Sequence, residues 1–131
     1  MLIELSIRDI ALISSLRVAF GPGLNVLSGE TGAGKSLVVG SLRLLCGDKP
    51  PADLVREGAT QGIVEGVFEL APSGWIAQRL EEKGIPIEDG ELILSREIRP
   101  AGKGRIRANG VTLARAELEE AAALLIDLHG Q

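Results

Sequence analysis

The stretch GETGAGKS, Gly29 to Ser36, fills the spacing GxxxxGKS between a short apolar run, LNVL, and a segment of helical periodicity. Glycines at this spacing let the backbone curl until successive N–H groups face one point, and a helix starting there adds partial positive charge. Phosphate oxygens are what such a nest holds. Lys35 is expected to reach the outer phosphates as a point charge, and the Ser36 hydroxyl to sit on a Mg²⁺ that bridges two of them. The candidate nucleotide-binding set is therefore Gly29, Glu30, Thr31, Gly32, Ala33, Gly34, Lys35 and Ser36. Glu30 is expected to point away, because a carboxylate beside phosphates repels them. A glycine-rich turn that merely precedes a helix is the bland alternative, and the complete match with the right flanks disfavours it.

A second candidate lies in LLIDLHGQ, Leu124 to Gln131. Asp127-Leu128-His129-Gly130 fits the DxxG of a small GTPase-like domain, with Gln131 orienting an attacking water. Alternatively Asp127 is incidental, and Gln131 is the glutamine that ABC-type heads place near Mg²⁺ and the γ-phosphate. Residue type and spacing leave both open, although the absence of an NKxD motif disfavours guanine recognition.

These residues need elements to hold them. IELSIR and LRVAF alternate apolar and polar residues as half-buried strands do, and GPG precedes LNVL, which reads as a strand buried on both faces. Val38, Leu42 and Leu45 at helical spacing, with Gly47 as a stop, predict a helix over residues 35–46. DKPPADLVREGATQG has no period and reads as loop; IVEGVFEL returns to strand; SGWIAQRLEEK reads as a short helix capped by Ser73. ELILSREIR and GRIRANGVTL predict an antiparallel hairpin around PAGKG, with a second turn at Asn109-Gly110. LARAELEEAAALL is a helix with Leu113, Leu118, Ala121 and Leu125 on roughly one face, and LLID is expected to begin another buried strand.

Composition sets the frame. The 131 residues, 45% hydrophobic and 24% charged, suit one domain or a piece of one. A net charge of -4 argues against a chain that coats nucleic acid over its whole surface. Cys46 is the only cysteine, which rules out an internal disulfide or a cysteine-based zinc site and fits a reducing, cytoplasmic setting. No signal peptide and no apolar run of membrane length is evident, so no membrane partner is expected.

Arg96, Arg99, Lys103, Arg105 and Arg107 against Glu97 make the expected hairpin locally basic. It reads as a DNA backbone contact or, more simply, as a solvated face paired with acids elsewhere. A nucleotide-independent module that binds DNA or a partner through this hairpin is therefore a further alternative. With Phe20, Phe68 and Trp75 the only aromatics, base stacking has no platform here. His129, the single histidine, cannot build a histidine-rich metal site.

Taken together, GLNVL before GETGAGKS, then LVREG, LILSREI with RANG, and LIDLHGQ resemble the N-terminal part of the RecN family, bacterial DNA-repair ATPases related to SMC proteins. The similarity runs from Met1 to Gln131, and Glu30-Thr31 is the form typical of this family where most SMC-like heads have Pro-Asn. The resemblance implies an α/β P-loop NTPase fold: the N-terminal half, residues 1–131, of an ABC/SMC-type head with a mixed sheet, antiparallel strands and a P-loop helix. It implies ATP and Mg²⁺ as ligands, Lys35 and Gln131 as catalytic residues, and Ser36 and Gln131 on the metal. The expected partners are the C-terminal half of the head, a second head in an ATP-sandwiched homodimer, and DNA, in a nucleoid-associated protein. Ala11 and Leu12 stand where some related heads carry a nucleotide-contacting arginine, so that contact does not transfer. A second strand ending in Asp-Glu, an LSGG-type signature and coiled-coil heptads are absent, so the chain alone is expected to be inactive in ATP hydrolysis.

Overall fold

A computed structural model describes residues 1–20, 32–71, 73–100 and 104–126, with backbone only for 32–35. Its elements run β1 (Leu2–Ile10), β2 (Ile13–Ala19), α1 (Gly32–Leu45), β3 (Gly62–Glu69), α2 (Trp75–Glu82), β4 (Glu91–Ile98), β5 (Ile106–Ala108), β6 (Val111–Thr112) and α3 (Arg115–Leu125). The strands form one six-stranded sheet in the order β2-β1-β3-β4-β5-β6, and every ladder among the described residues is antiparallel. The strand expected at residues 24–27 lies outside the described residues, whereas the one expected to begin at LLID is corrected: Leu124 and Leu125 are the last residues of α3 and Ile126 is its C-cap, because the apolar face of the helix runs on through them, and only Asp127 lies outside the described residues.

Alternation in the strands gives the sheet one apolar face. Leu5 and Ile7 on β1, Val64 and Phe68 on β3, Leu92, Leu94 and Ile98 on β4, and Ala108 on β5 are all buried. The register aligns them, with Ile7 opposite Val64, Leu5 opposite Gly66, and Phe68 opposite Leu92. Helix α1 packs on this face through Val38, Leu44 and Leu45, and α2 and α3 add Leu80, Leu118 and Ala121 to the same cluster. Each large apolar side chain buried in this way contributes about 1.5–3 kcal/mol. The close approach of α1 depends on Gly66: a Cβ there would lie 2.9 Å from Leu45 Cδ1 and 3.2 Å from Phe68 Cε1.

Helix α1 ends as its sequence foretells. Gly47 takes φ +104, its N–H donates to Leu44 O at 3.1 Å, and the Asp48 N–H donates to Arg43 O at 3.1 Å, a Schellman closure. Helix α2 departs from expectation, since Gly74 and not Ser73 is its N-cap and no side chain bonds there. Glycine leaves the first amides of so short a helix to solvent, at little cost relative to a serine cap. At α3 the Glu117 carboxylate accepts the Ala114 N–H at 2.7 Å, which satisfies one donor at the helix entrance.

The turn read at Asn109-Gly110 holds more than two short strands together. Asn109 sits at φ +47, its Oδ1 accepts the Ile93 N–H at 2.8 Å, and its Nδ2 donates to Pro86 O at 2.6 Å and Glu91 O at 3.0 Å. Asn109→Ala is expected to lose about 2–3 kcal/mol of stability, because a part-buried amide and two carbonyls lose their partner. Asn109→Asp is no rescue, since its carboxylate faces the Pro86 and Glu91 carbonyls. Urea unfolding and faster amide exchange at Ile93 test this; an unchanged midpoint with a protected Ile93 amide would refute it.

Candidate functional site

The phosphate-loop motif runs directly into α1. Gly29, Glu30 and Thr31 lie outside the described residues, while Gly32, Ala33, Gly34 and Lys35 form the first turn of the helix. Their N–H groups have no acceptor within the helix, and the aligned peptide dipoles give that end partial positive charge. No acidic residue stands in the first turn to offset it. Ser36 follows on the same helix and is exposed, so its hydroxyl is open to a ligand. It borders a depression of about 310 Å³, mostly apolar, shared with Ile10, Leu37, Gly40, Ser41 and Leu54. The Ser41 hydroxyl in that wall is buried and has no hydrogen-bond partner among the described residues.

The loop opposite this helix is tied down. Ala11 N–H donates to Leu54 O at 2.7 Å and Arg56 N–H to Asp9 O at 2.9 Å, and Val55 bridges to Ile10. These bonds hold Asp9 and Ala11 at φ 53 and 54, left-handed conformations that non-glycine residues adopt only when their surroundings enforce them. The tip they create leaves Leu12 94% exposed.

Asp127, His129 and Gln131 lie outside the described residues, and so does Lys103 of the basic hairpin. The remaining basic residues of that stretch do not form one face. Arg96 is buried, 6% exposed, on the inner side of β4; its Nη1 donates to Leu44 O at 2.6 Å and Asp48 O at 2.7 Å. Arg99 pairs with Glu97 at 3.5 Å. Arg107 borders an outer-face depression with Glu65, Glu88 and Glu91, and Arg105 is exposed. The expected basic strip is thus corrected, because alternation along β4 and β5 sends neighbouring arginines to opposite sides of the sheet.

Arg96 is the residue that charge counting misplaces. At the carbonyl end of α1, where the dipole is negative, a guanidinium is favourable and satisfies two backbone acceptors. Burial first, and the charge of Arg115 second, lower its proton affinity, partly offset by Asp48. A guanidinium starts so high that it stays charged at neutral pH. The Cys46 thiol, at the end of α1, is pushed up by burial and by Asp48 against the opposing pull of Arg43, so it remains a thiol and not a nucleophile. Among the described residues there is no cluster of three metal-ligating side chains, and no helix is long and apolar enough to cross a membrane.

Comparison with known proteins accords with this geometry. A family model described as AAA domain matches residues 4–104. The chain is 41% identical to the DNA repair protein RecN of Halalkalibacterium halodurans and 40% identical to that of Bacillus subtilis, over 131 residues and 100% of its length in each case. It spans 23% of the length of these curated relatives. Among solved structures, one from a study of ATP-driven dimerization and DNA-stimulated activation of SMC ATPases superposes with a TM-score of 0.71 at 20% identity, covering 95% of this chain and 80% of the other. The recombination mediator RecF superposes with a TM-score of 0.68 at 20% identity, covering 90% of this chain and 29% of the other. The fold is that of an SMC-type head.

Proposed function

The chain belongs to the AAA-domain family, and from that premise we propose that it is the ATP-binding part of a RecN-type, SMC-like ATPase in DNA double-strand break repair and recombination. The observation that carries this reading is the start of α1 at Gly32, inside GETGAGKS, which sets Gly32 to Ser36 on the positive end of a helix packed against the sheet. Residues 1–131 act as one unit, the N-terminal half of an ABC/SMC-type head, with the second half supplied by chain beyond Gln131.

The residues present suit ATP with Mg²⁺. The motif offers free amides and a lysine for phosphate, and Ser36 offers an exposed hydroxyl, a hard oxygen donor of the kind Mg²⁺ takes. Gly29 to Lys35 would hold the phosphates, and Ser36 with Gln131 would hold the metal, which when bound neutralises the charge that develops on the transferred phosphoryl group. Lys35 binds and positions; Gln131 orients the attacking water. Hydrolysis belongs to the complete protein, in which a second head closes over the nucleotide, and the isolated chain is inactive. The protein works in the cytoplasm, at the nucleoid, with DNA as its macromolecular partner.

Nucleotide competition on the full-length protein tests the base preference and the role of the last residue. ATP is expected to displace a labelled ATP analogue well ahead of GTP; a guanine preference would restore the GTPase reading. Gln131→Ala is expected to leave ATP binding within about twofold while slowing turnover by about 10²-fold, as loss of a water-positioning group does. Loss of binding without a separate effect on turnover would remove Gln131 from that role.

A further inference from the structure

At the opposite end of α1 from the phosphate loop lies a cleft of about 580 Å³, formed by the end of β4, the segment beginning at Lys49, and the entrance of α3. Among the described residues its cationic lining comes from Lys49, Arg96, Arg99 and Arg115, against Glu97 alone. Glu97 lies 3.5 Å from Arg99, so one of the four charges is matched within the cleft. Ile98 and Leu113 supply apolar wall, which lowers the local dielectric and strengthens the field of the other three. We propose that this cleft binds a phosphate-bearing anion, at a site separate from the phosphate loop.

Two independent features favour an anion there. First, Arg96 is 6% exposed, yet its hydrogen bonds to Leu44 O and Asp48 O both leave from Nη1; among the described residues Nε and Nη2 have no acceptor. Arg115 stands close enough for the two guanidiniums to oppose each other's charge. Two guanidiniums drawn to one concavity repel, and a ligand with two negative charges relieves that repulsion. Their planar forks also match paired phosphate oxygens better than an ammonium does.

Second, Arg115 is the first residue of α3, an 11-residue helix whose N-terminal peptide, at Ala114, also lines the cleft. A cation at a helix N-terminus opposes the dipole and is ordinarily unfavourable. Glu117 offsets part of this through its bond to the Ala114 N–H. The net effect is a helix end and an arginine that both present positive potential to the same space. The site stands on this geometry and is independent of the ATPase reading of the phosphate loop.

The shared ligand chemistry is phosphate, and its sources are a free oligophosphate or the backbone of a nucleic acid. Both are tested on the full-length, nucleotide-free protein carrying Lys35→Ala to weaken the phosphate loop. Pyrophosphate binding is followed by calorimetry and binding of a short duplex oligonucleotide by fluorescence anisotropy at several salt concentrations. Lys49→Gln with Arg115→Gln, both at exposed positions, is expected to weaken binding about tenfold and to reduce the salt slope for duplex by about 1 for each phosphate no longer neutralised. Arg79→Gln on α2, outside the cleft, should change neither, and superimposable melting curves show that the fold persists.

Weakening of both probes, with pyrophosphate displacing duplex, supports one site serving both sources. Weakening of pyrophosphate alone assigns the site to a free oligophosphate, and weakening of duplex alone assigns it to nucleic acid. A parent protein that binds neither probe, or a double variant that binds both as the parent does, overturns the proposal.

Discussion

Lys35→Ala in the full-length protein is expected to reduce ATP turnover by at least about 10²–10³-fold, the loss seen when one preorganised donor to a developing negative charge is removed. The reason is local. The first turn of α1 supplies amides whose partial charges are fixed by the backbone, but Lys35 is the only full positive charge in the motif Gly29 to Ser36. Its removal leaves only partial backbone charges to hold the outer phosphates, so phosphate affinity falls along with turnover. Lys35→Arg should not restore activity, because a planar fork does not replace a compact ammonium at a backbone nest. Steady-state turnover with a parallel binding measurement is the check, and normal turnover in Lys35→Ala would end the phosphate-loop assignment.

Arg96→Ala is expected to be the most damaging substitution for stability among the described charged residues, by about 3–4 kcal/mol, since a hydrogen bond from a charged donor contributes about 1.5–3 kcal/mol. Two carbonyls, Leu44 O and Asp48 O, lose their donor at once, and a void opens between β4 and the end of α1. Arg96→Met keeps much of the volume and should recover part of the loss, while Arg96→Lys keeps the charge but delivers it from a single point. The readout is the denaturant midpoint. If Arg96→Ala and an exposed control such as Arg105→Ala shift it equally, the capping role is wrong.

Much of the fold is legible in the chain, and the departures have physical causes. Alternation marks β1 to β4, the stop at Gly47 marks the end of α1, and Asn109-Gly110 marks the last turn. Ser73 draws the cap assignment because serine is the stronger capping residue in general, whereas local chain geometry puts Gly74 at the cap. Arg96 reads as surface when charge is weighed above period: Leu92, Leu94, Arg96 and Ile98 are consecutive members of one inward row. A charged residue inside such a row signals a buried partner, here the carbonyl end of α1. Asn109 is recognisable as a turn former, but its bonds to residues 86, 91 and 93 depend on segments that only the sheet brings together. The candidate site is read from the motif's glycines and lysine, whose spacing points to phosphate without tertiary information, while Gly29 to Thr31 and Gln131 lie outside the described residues.

The neighbouring of β1 and β3 has a consequence for the order of assembly. Ile7 pairs with Val64 across a stretch of chain that contains β2, the whole phosphate loop and α1. Hairpins such as β4 with β5 close over short loops and can zip early, but the β1–β3 ladder must gather a long excursion first, and non-local pairing of that kind is slow. The packing of α1 on the sheet is therefore completed only when the two flanks of that excursion meet. A nucleotide bound at the proposed site would favour the closed state by mass action, so its stabilising influence would reach amides of β1 and β3 that are remote in sequence from Gly29 to Ser36.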